Sequence, residues 1–132
     1  MKLITKEVAR RLMRGDSLGM DRRASDTEVA VKFFNPVGAQ TWFIVSGTPL
    51  DDVNGRPLTP DKILDSGIEK AKDWHMFGWC DLGQGPGMAE LGYVLLSQLT
   101  SLTLPLGLKI ERDMYFDNKR LSEVMDSQGT WT

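Results

Sequence analysis

The stretch from Met76 to Leu99, MFGWCDLGQGPGMAELGYVLLSQL, constrains the fold of this chain more than any other segment. MFGWCDLG is apolar at almost every position, which indicates a short strand buried on both faces. The glycines and the proline of the following GQGPG cannot continue that strand, so the chain turns there. ELGYVLL then alternates, with Leu91, Tyr93 and Leu95 on one face, and Ser97 is expected to cap a helix. The stretch therefore predicts a central strand, a turn, a second strand and a helix.

The segments before this stretch predict a helix and a hairpin. Thr5 is a helix cap and Gly15 a helix stop, so a first helix is expected between them. From Thr27 the apolar residues alternate, which predicts a strand. The sequence NPVG then favours a type I turn, and TWFIVSG is typical of the returning strand.

The remaining segments complete a mixed fold. Thr59 and Pro60 open a predicted second helix that ends at Trp74. KIERDMYF predicts a further strand, and residues 119–125 predict a final helix. We therefore expect an α+β fold, with a mostly antiparallel sheet of four or five strands and two to four helices packed on one face.

Length and composition indicate one domain. The 132 residues, of which 41% are apolar, predict a single globular domain over 1–132. The single cysteine, Cys80, excludes an internal disulfide and a multi-cysteine zinc site, which predicts a reducing, cytoplasmic location. No apolar run has the length of a signal peptide or a membrane span, so we expect no membrane association.

The charges are unevenly distributed along the chain. Residues 1–23 hold seven Lys or Arg against three Asp or Glu, whereas residues 24–132 hold nine against fifteen, a net charge of −6. Binding to many phosphates needs clustered cations, so this acidic body argues against direct nucleic-acid binding and favours a basic protein partner. The exception is the start of the chain, with Arg10, Arg11, Arg14, Arg22 and Arg23.

Acidic residues are the candidates for chemistry. His75 and Cys80 lie five residues apart on a predicted strand, so they face opposite ways and cannot form a nucleophile and base pair. Asp81 ends an apolar strand and needs hydrogen-bond partners, for which the amides of the glycine-rich turn are candidates. Glu111 and Asp113 share one face of a predicted strand, either as an acid and base pair or as a solvated edge. A catalytic carboxylate cluster would comprise Asp81, Glu90, Glu111 and Asp113.

No motif indicates a metal or a cofactor, and we predict neither. Asp51 and Asp52 lie in a polar loop without a third ligand at calcium-site spacing, which favours solvated turn residues. GQGPG lacks the lysine and helix of a P-loop. The charged candidates for contact with a protein partner are Asp51, Asp52, Glu111, Asp113, Arg10, Arg11 and Arg14.

Several segments resemble a small bacterial family of unknown function. They are KFFNP with the aromatic strand after it, MFGWCDL, AELGYVLLSQL, LPLGLKIERDMYF and RLSEV, which cover nearly the whole chain from LITKE to LSEV. The resemblance implies no assigned reaction. It implies genes carried on plasmids, phages and integrated elements, often near antirestriction genes. This chain departs from the shorter family pattern by a longer loop and helix over residues 50–72 and by additional glycines in GQGPG.

Three classes of function follow from these observations. The leading hypothesis is a non-enzymatic interaction protein of a mobile element, which acts through an acidic surface on a host or element-encoded nucleic-acid-handling protein of defence or replication. The alternative is a small hydrolase or nucleotide-processing enzyme built on the four acids. A weaker alternative is direct nucleic-acid binding through the basic N-terminal segment. The oligomeric state is not predicted.

Overall fold

The computed structural model describes residues 2–17, 27–51, 56–59, 63, 67–85, 87–116 and 119–127. The helices are α1 (Lys6–Ser17), α2 (Leu96–Thr100) and α3 (Leu121–Ser127). The strands are β1 (Val31–Phe34), β2 (Thr41–Leu50), β3 (Asp73–Asp81), β4 (Glu90–Leu95) and β5 (Glu111–Arg112). Short 3₁₀ turns occupy Ile68–Lys70 and Pro105–Gly107.

The five strands form one antiparallel sheet in the order β4-β3-β2-β1-β5. Strands β1 to β4 follow one another as a meander, and β5 returns to the far side and pairs with β1. The predicted α+β fold with a mostly antiparallel sheet is confirmed. No helix among the described residues has the length and apolarity that a bilayer span requires.

The predicted hairpin before the central stretch is confirmed as β1 and β2. Asn35 closes it with hydrogen bonds of both its side chain and its backbone, and its carbonyl accepts from Gly38 N at 3.3 Å. Its Oδ1 accepts from Val37 N at 2.9 Å, its Nδ2 donates to Gln40 Oε1 at 2.6 Å, and its N–H donates to Gln40 O at 2.9 Å. An asparagine at the first turn position therefore fixes the register of both strands.

Helix α1 begins as predicted and ends later than predicted. Thr5 caps it, because Thr5 Oγ1 accepts a hydrogen bond from Val8 N at 3.2 Å. Gly15 does not end the helix, which continues to Ser17. A Cβ at Gly15 would collide with the carbonyl of Val45, so this glycine allows α1 to approach β2 closely.

Both faces of the sheet are covered by helices. The α1 face lies under α1 and α2, and its buried cluster includes Phe33, Trp42, Ile44, Met76 and Leu99. The α3 face lies under α3, with the buried cluster Val29, Phe43, Val45, Trp79, Leu121, Val124 and Met125. The prediction that helices pack on one face is therefore right for α1 and α2 and wrong for α3. A second face is covered because the adjacent β2 residues Trp42 and Phe43 are buried on opposite sides of the sheet.

The predicted strand, turn and strand of the central stretch are confirmed as β3 and β4. The glycines between them are required by the backbone, because Gly83, Gly85 and Gly87 have φ values of 75°, 111° and 78°. Asp81 Oδ1 accepts a hydrogen bond from Gly83 N at 2.9 Å. The prediction that Asp81 is satisfied by an amide of this turn is therefore correct.

Other boundaries differ from the predictions. Trp74 does not end a helix but lies in β3, where its ring is buried in the α1-face cluster. The predicted KIERDMYF strand is only Glu111–Arg112, because the chain turns where Tyr115 N donates to Asp113 Oδ1. Residues 60–62 and 64–66 of the predicted second helix lie outside the described residues, and its later part is wrong, because the chain forms the 3₁₀ turn Ile68–Lys70 and then enters β3. The final helix is confirmed as α3, with Leu121 and Val124 buried.

Candidate interaction surface

The outermost strand β4 carries the most prominent exposed apolar surface of the sheet. We define the β4 edge surface as His75, Phe77, Glu90, Leu91, Gly92 and Tyr93. Tyr93 is 66% exposed and Leu91 is 41% exposed, although both belong to a sheet strand. Large apolar side chains grouped on a surface commonly mark an interaction site.

Three aromatic rings of this surface contact one another. The Tyr93 ring stacks on His75, with 4.7 Å between the ring centroids and 6° between the planes. Tyr93 also meets Phe77 at 4.8 Å and 55°. These contacts follow from the register, because Tyr93 is opposite Phe77 and diagonal to His75. The rings are therefore held in place before any partner binds.

The backbone groups of Leu91 and Tyr93 point away from the sheet. Successive residues of an antiparallel strand bond alternately to the strands on its two sides. Leu95 N donates to Gln98 Oε1 at 2.8 Å instead of to β3, so Leu91 and Tyr93, two and four residues earlier, also face outward. The hydrogen bond from Asn35 N to Gln40 O fixes which residues of β1 and β2 bond to each other. Alternation through the paired residues of β2, β3 and β4 then also turns the backbone groups of Leu91 and Tyr93 outward.

The sequence around this surface carries only negative formal charge. Between residues 73 and 108 there is no lysine or arginine, while Asp73, Asp81 and Glu90 are present. Asp73 and Asp81 bind backbone amides of the chain. Glu90 is exposed at the start of β4 and is the carboxylate of this group that can meet a partner's cation.

Cys80 lies next to this carboxylate and is a poor nucleophile. Burial raises the pKa of the Cys80 thiol to about 11, and the negative charge of Glu90 adds to the rise. We expect iodoacetamide to alkylate Cys80 more slowly in the folded chain than in urea at about pH 8. The folded-state rate should rise as the pH approaches 11, and Glu90→Gln should move that rise to lower pH. Equal rates in the folded and unfolded chains, measured by intact mass, would contradict this assignment.

The structure separates the four acids proposed for catalysis. Asp81 and Glu90 lie on neighbouring strands but on opposite faces, because Glu90 is paired with Cys80. Glu111 lies in the same row of the sheet as Asp81, but Thr41 and Phe34 lie between them. Three strand spacings separate the two backbones by about 14 Å. These acids therefore do not form one catalytic centre.

Asp113 has a structural contact instead. Its Oδ2 lies 3.4 Å from Lys32 Nζ, and both side chains are about three-quarters buried. The same ammonium lies 5.5 Å from the centroid of Phe43. Asp113 N also donates to Lys32 O at 2.9 Å, which continues the pairing between β5 and β1. This ion pair joins an edge strand to the α3 face.

Glu111 borders a pocket of about 530 Å³ at the end of α2. The pocket is lined by Leu3, Thr100, Gly107, Leu108, Lys109, Ile110 and Glu111. Glu111 is the only acid of that lining, so the pocket does not supply an acid and base pair. Within the described ranges, no group of three or more His, Cys, Asp or Glu could hold a metal.

The other charged candidates lie at the end of β2, on α1 or outside the described residues. Asp51 follows β2, and its N–H donates to Arg56 O at 2.8 Å. Arg10 and Arg11 lie 3.7 and 3.3 Å from Glu7 on the exposed side of α1. Arg14 also lies on α1. Asp52, Arg22 and Arg23 fall outside the described residues.

The β4 edge surface was not identified from the sequence. Alternation placed Leu91 and Tyr93 on one face, but the strand order that leaves this face at an edge depends on distant pairings. The available signal was Gly92, a glycine in the middle of an otherwise apolar strand. Trp42 and Trp79, by contrast, belong to the core, since they are 5% and 6% exposed.

Comparison with known protein families gives a match over nearly the whole chain. The family model described as Protein of unknown function (DUF2958) matches residues 3–59 and 56–128. No curated protein and no solved structure matches the chain.

Proposed function

We propose that this chain, which belongs to the family described as Protein of unknown function (DUF2958), is a non-enzymatic protein that binds another protein through the β4 edge surface. The observation that carries this proposal is the stack of Tyr93 on His75 and Phe77, exposed on the outermost strand. Aromatic residues are enriched in the centres of protein interfaces. Rings that are already ordered lose little side-chain entropy on binding.

The separation of the four acids supports a binding role over a hydrolytic one. A hydrolase built on Asp81, Glu90, Glu111 and Asp113 would need at least two of these carboxylates to converge in one cleft. Asp81 and Glu90 face opposite sides, and Asp113 is held by Lys32. The β4 edge surface instead combines exposed apolar area with an unpaired backbone.

The partner we propose is a nucleic-acid-handling protein of a bacterial host or of the mobile element itself. Such proteins carry basic surfaces, which complement the exposed Glu90 in a region of the sequence that has no lysine or arginine. The family resemblance of the sequence, with genes on plasmids, phages and integrated elements, supports a role in defence or replication. The arginines of α1 are less suited to nucleic acid, since Glu7 is within ion-pair distance of two of them.

An affinity capture experiment tests this function. The tagged chain, Tyr93→Ala and Tyr115→Ala are each incubated with untreated and with nuclease-treated bacterial lysate, and retained proteins are identified by mass spectrometry. Tyr115 is a matched control, because it is 91% exposed and far from β4 along the sheet. We expect a nucleic-acid-handling protein to be retained by the unchanged chain and by Tyr115→Ala, and to be reduced about tenfold with Tyr93→Ala.

Other results would contradict the proposal. Equal retention by Tyr93→Ala and the unchanged chain would show that binding does not use this surface. Retention that disappears on nuclease treatment and falls steeply with salt would favour direct nucleic-acid binding through the basic N-terminal segment.

A further inference from the structure

We infer that the β4 edge binds an extended, basic segment of its partner by adding that segment to the sheet as a further strand. This inference rests on the proposed function and specifies how the partner is held. The N–H and C=O groups of Leu91 and Tyr93 face outward and are spaced as the hydrogen-bonding groups of a strand edge. Such an edge is satisfied by an extended chain, as in other cases of strand addition.

The described strand β4 lacks the lysine, the proline, the bulge and the short length that often prevent pairing at a sheet edge. Protected edges carry lysine, proline or a bulge, or are very short. Strand β4 has six residues without lysine or proline, and its register with β3 is continuous. The opposite edge strand, β5, has only two residues and is preceded by Lys109. Among the described residues, the sheet therefore has one short edge strand, β5, and one longer edge strand, β4, without lysine, proline or a bulge.

Gly92 indicates what the added strand contains. A Cβ built on Gly92 would meet no atom within 4 Å, so packing inside the chain does not require a glycine there. Gly92 is opposite Gly78 on the α1 face, which leaves a gap in that face between Val94 and Glu90. Glycine inside a strand often marks a close approach by another chain. A large side chain opposite Gly92 on the added strand would fill this gap.

Glu90 indicates the charge of the added segment. It lies two residues from Gly92 and therefore on the same face of the sheet. A lysine or arginine two positions from the large side chain would reach the Glu90 carboxylate. The sequence has no lysine or arginine between residues 73 and 108 that could pair with Glu90 instead. The expected segment therefore carries a basic residue and a large apolar residue two positions apart, on the same face of the added strand.

The charge of this region argues against a second copy of this chain as the occupant. Self-pairing would bring together two regions that carry only negative formal charge. With the two-fold axis of the pair at Gly92, glycine would also face glycine and the gap would stay empty, whereas an axis at Tyr93 would place Val94 opposite Gly92. A different, basic chain avoids the repulsion and supplies a cation to Glu90.

The experiment uses the full chain as bait for a phage-displayed library of short random peptides. We expect enriched peptides that alternate apolar residues and contain lysine or arginine. Affinities are then measured for Leu91→Pro and Leu91→Ala. Both lose the leucine side chain, but only proline removes the outward N–H, and an outward position tolerates proline. We expect Leu91→Pro to bind about tenfold more weakly than Leu91→Ala.

Two further variants test the remaining features. Glu90→Gln should weaken binding by about threefold and reduce its salt dependence. Gly92→Val should weaken binding of peptides with a large side chain by about tenfold, because it occupies the gap. Thermal unfolding of each variant controls for a loss of fold.

Several results would overturn strand addition. They are the absence of enriched peptides, enriched peptides without a basic residue, or equal binding by Leu91→Pro and Leu91→Ala. A dimer of the free chain that Leu91→Pro converts to a monomer would assign the edge to a second copy. If lysate capture depends on Tyr93 but not on the N–H of Leu91, strand addition fails while the proposed function stands. If capture depends on neither, both fail.

Discussion

Replacing Gly78 by alanine is expected to lower the free energy of unfolding by about 3 kcal/mol. A Cβ at this position would overlap the carbonyl oxygen of Phe43 and approach the Cα of Ile44 at 2.7 Å. Both are backbone atoms of β2, so the clash cannot be relieved by a side-chain rotation. The two strands must separate where β2 is irregular, between Ile44 and Ser46. Urea unfolding followed by tryptophan fluorescence measures the loss.

Gly92→Ala is the matched control for Gly78→Ala. The two glycines are paired in the sheet, but a Cβ on Gly92 meets no atom within 4 Å. Alanine in mid-strand is favoured over glycine by about 0.5–1 kcal/mol, so Gly92→Ala should be neutral or slightly stabilising. An insoluble Gly78→Ala beside a soluble Gly92→Ala would also agree with the clash. Equal unfolding midpoints for the two variants would contradict it.

Asp73→Ala is expected to lower the free energy of unfolding by about 2 kcal/mol. The Asp73 carboxylate joins the start of β3 to the start of α2. Its Oδ1 accepts from Trp74 N at 2.8 Å and from Ser97 N at 2.9 Å. Its Oδ2 accepts from the Ser97 hydroxyl at 2.6 Å. Alanine removes all three bonds and leaves the first turn of α2 without this acceptor.

Asp73→Asn is the control that keeps the shape. The asparagine oxygen can still accept from the two backbone amides, so the loss should be about 1 kcal/mol. Amide exchange at Ser97 should accelerate strongly in Asp73→Ala and only slightly in Asp73→Asn. If alanine and asparagine have the same effect on stability and exchange, the contact between β3 and α2 is not set by this carboxylate.

The local elements of the fold could be predicted because their signals are local. Thr5 caps α1 with its own hydroxyl, and Asn35 closes the first hairpin with its own side chain. Asp81 meets an amide two residues away. In each case the residue and its partner lie within five positions, so the sequence pattern contains both.

The parts that could not be predicted depend on distant contacts. Gly15 has the signature of a helix stop, but its role is set by Val45 on a strand that packs against the helix. The face covered by α3 depends on Phe43 being buried on the side opposite Trp42. Neither partner is near in sequence, so propensity alone gives the wrong interpretation.

The candidate site shows the same difference between local signals, which the sequence reveals, and distant contacts, which it does not. Spacing suggested that Glu111 and Asp113 could act together, and the sequence could not reveal that Lys32 on β1 holds Asp113. The face shared by Leu91 and Tyr93 was evident from alternation. Its exposure follows from the strand order, in which β3 is the one neighbour of β4 among the described strands. The proposed function therefore depends on topology more than on any motif.

Site-resolved amide hydrogen exchange of the full chain, free and with a peptide enriched from the library, tests most directly whether β4 is an open edge that accepts a strand. In the free chain, the amides of Leu91 and Tyr93 should exchange fast, while those of Gly92 and Val94, which bond to β3, should be protected. On peptide binding, Leu91 and Tyr93 should become protected. Protection of both amides in the free chain, or fast exchange in the complex, would contradict strand addition at β4.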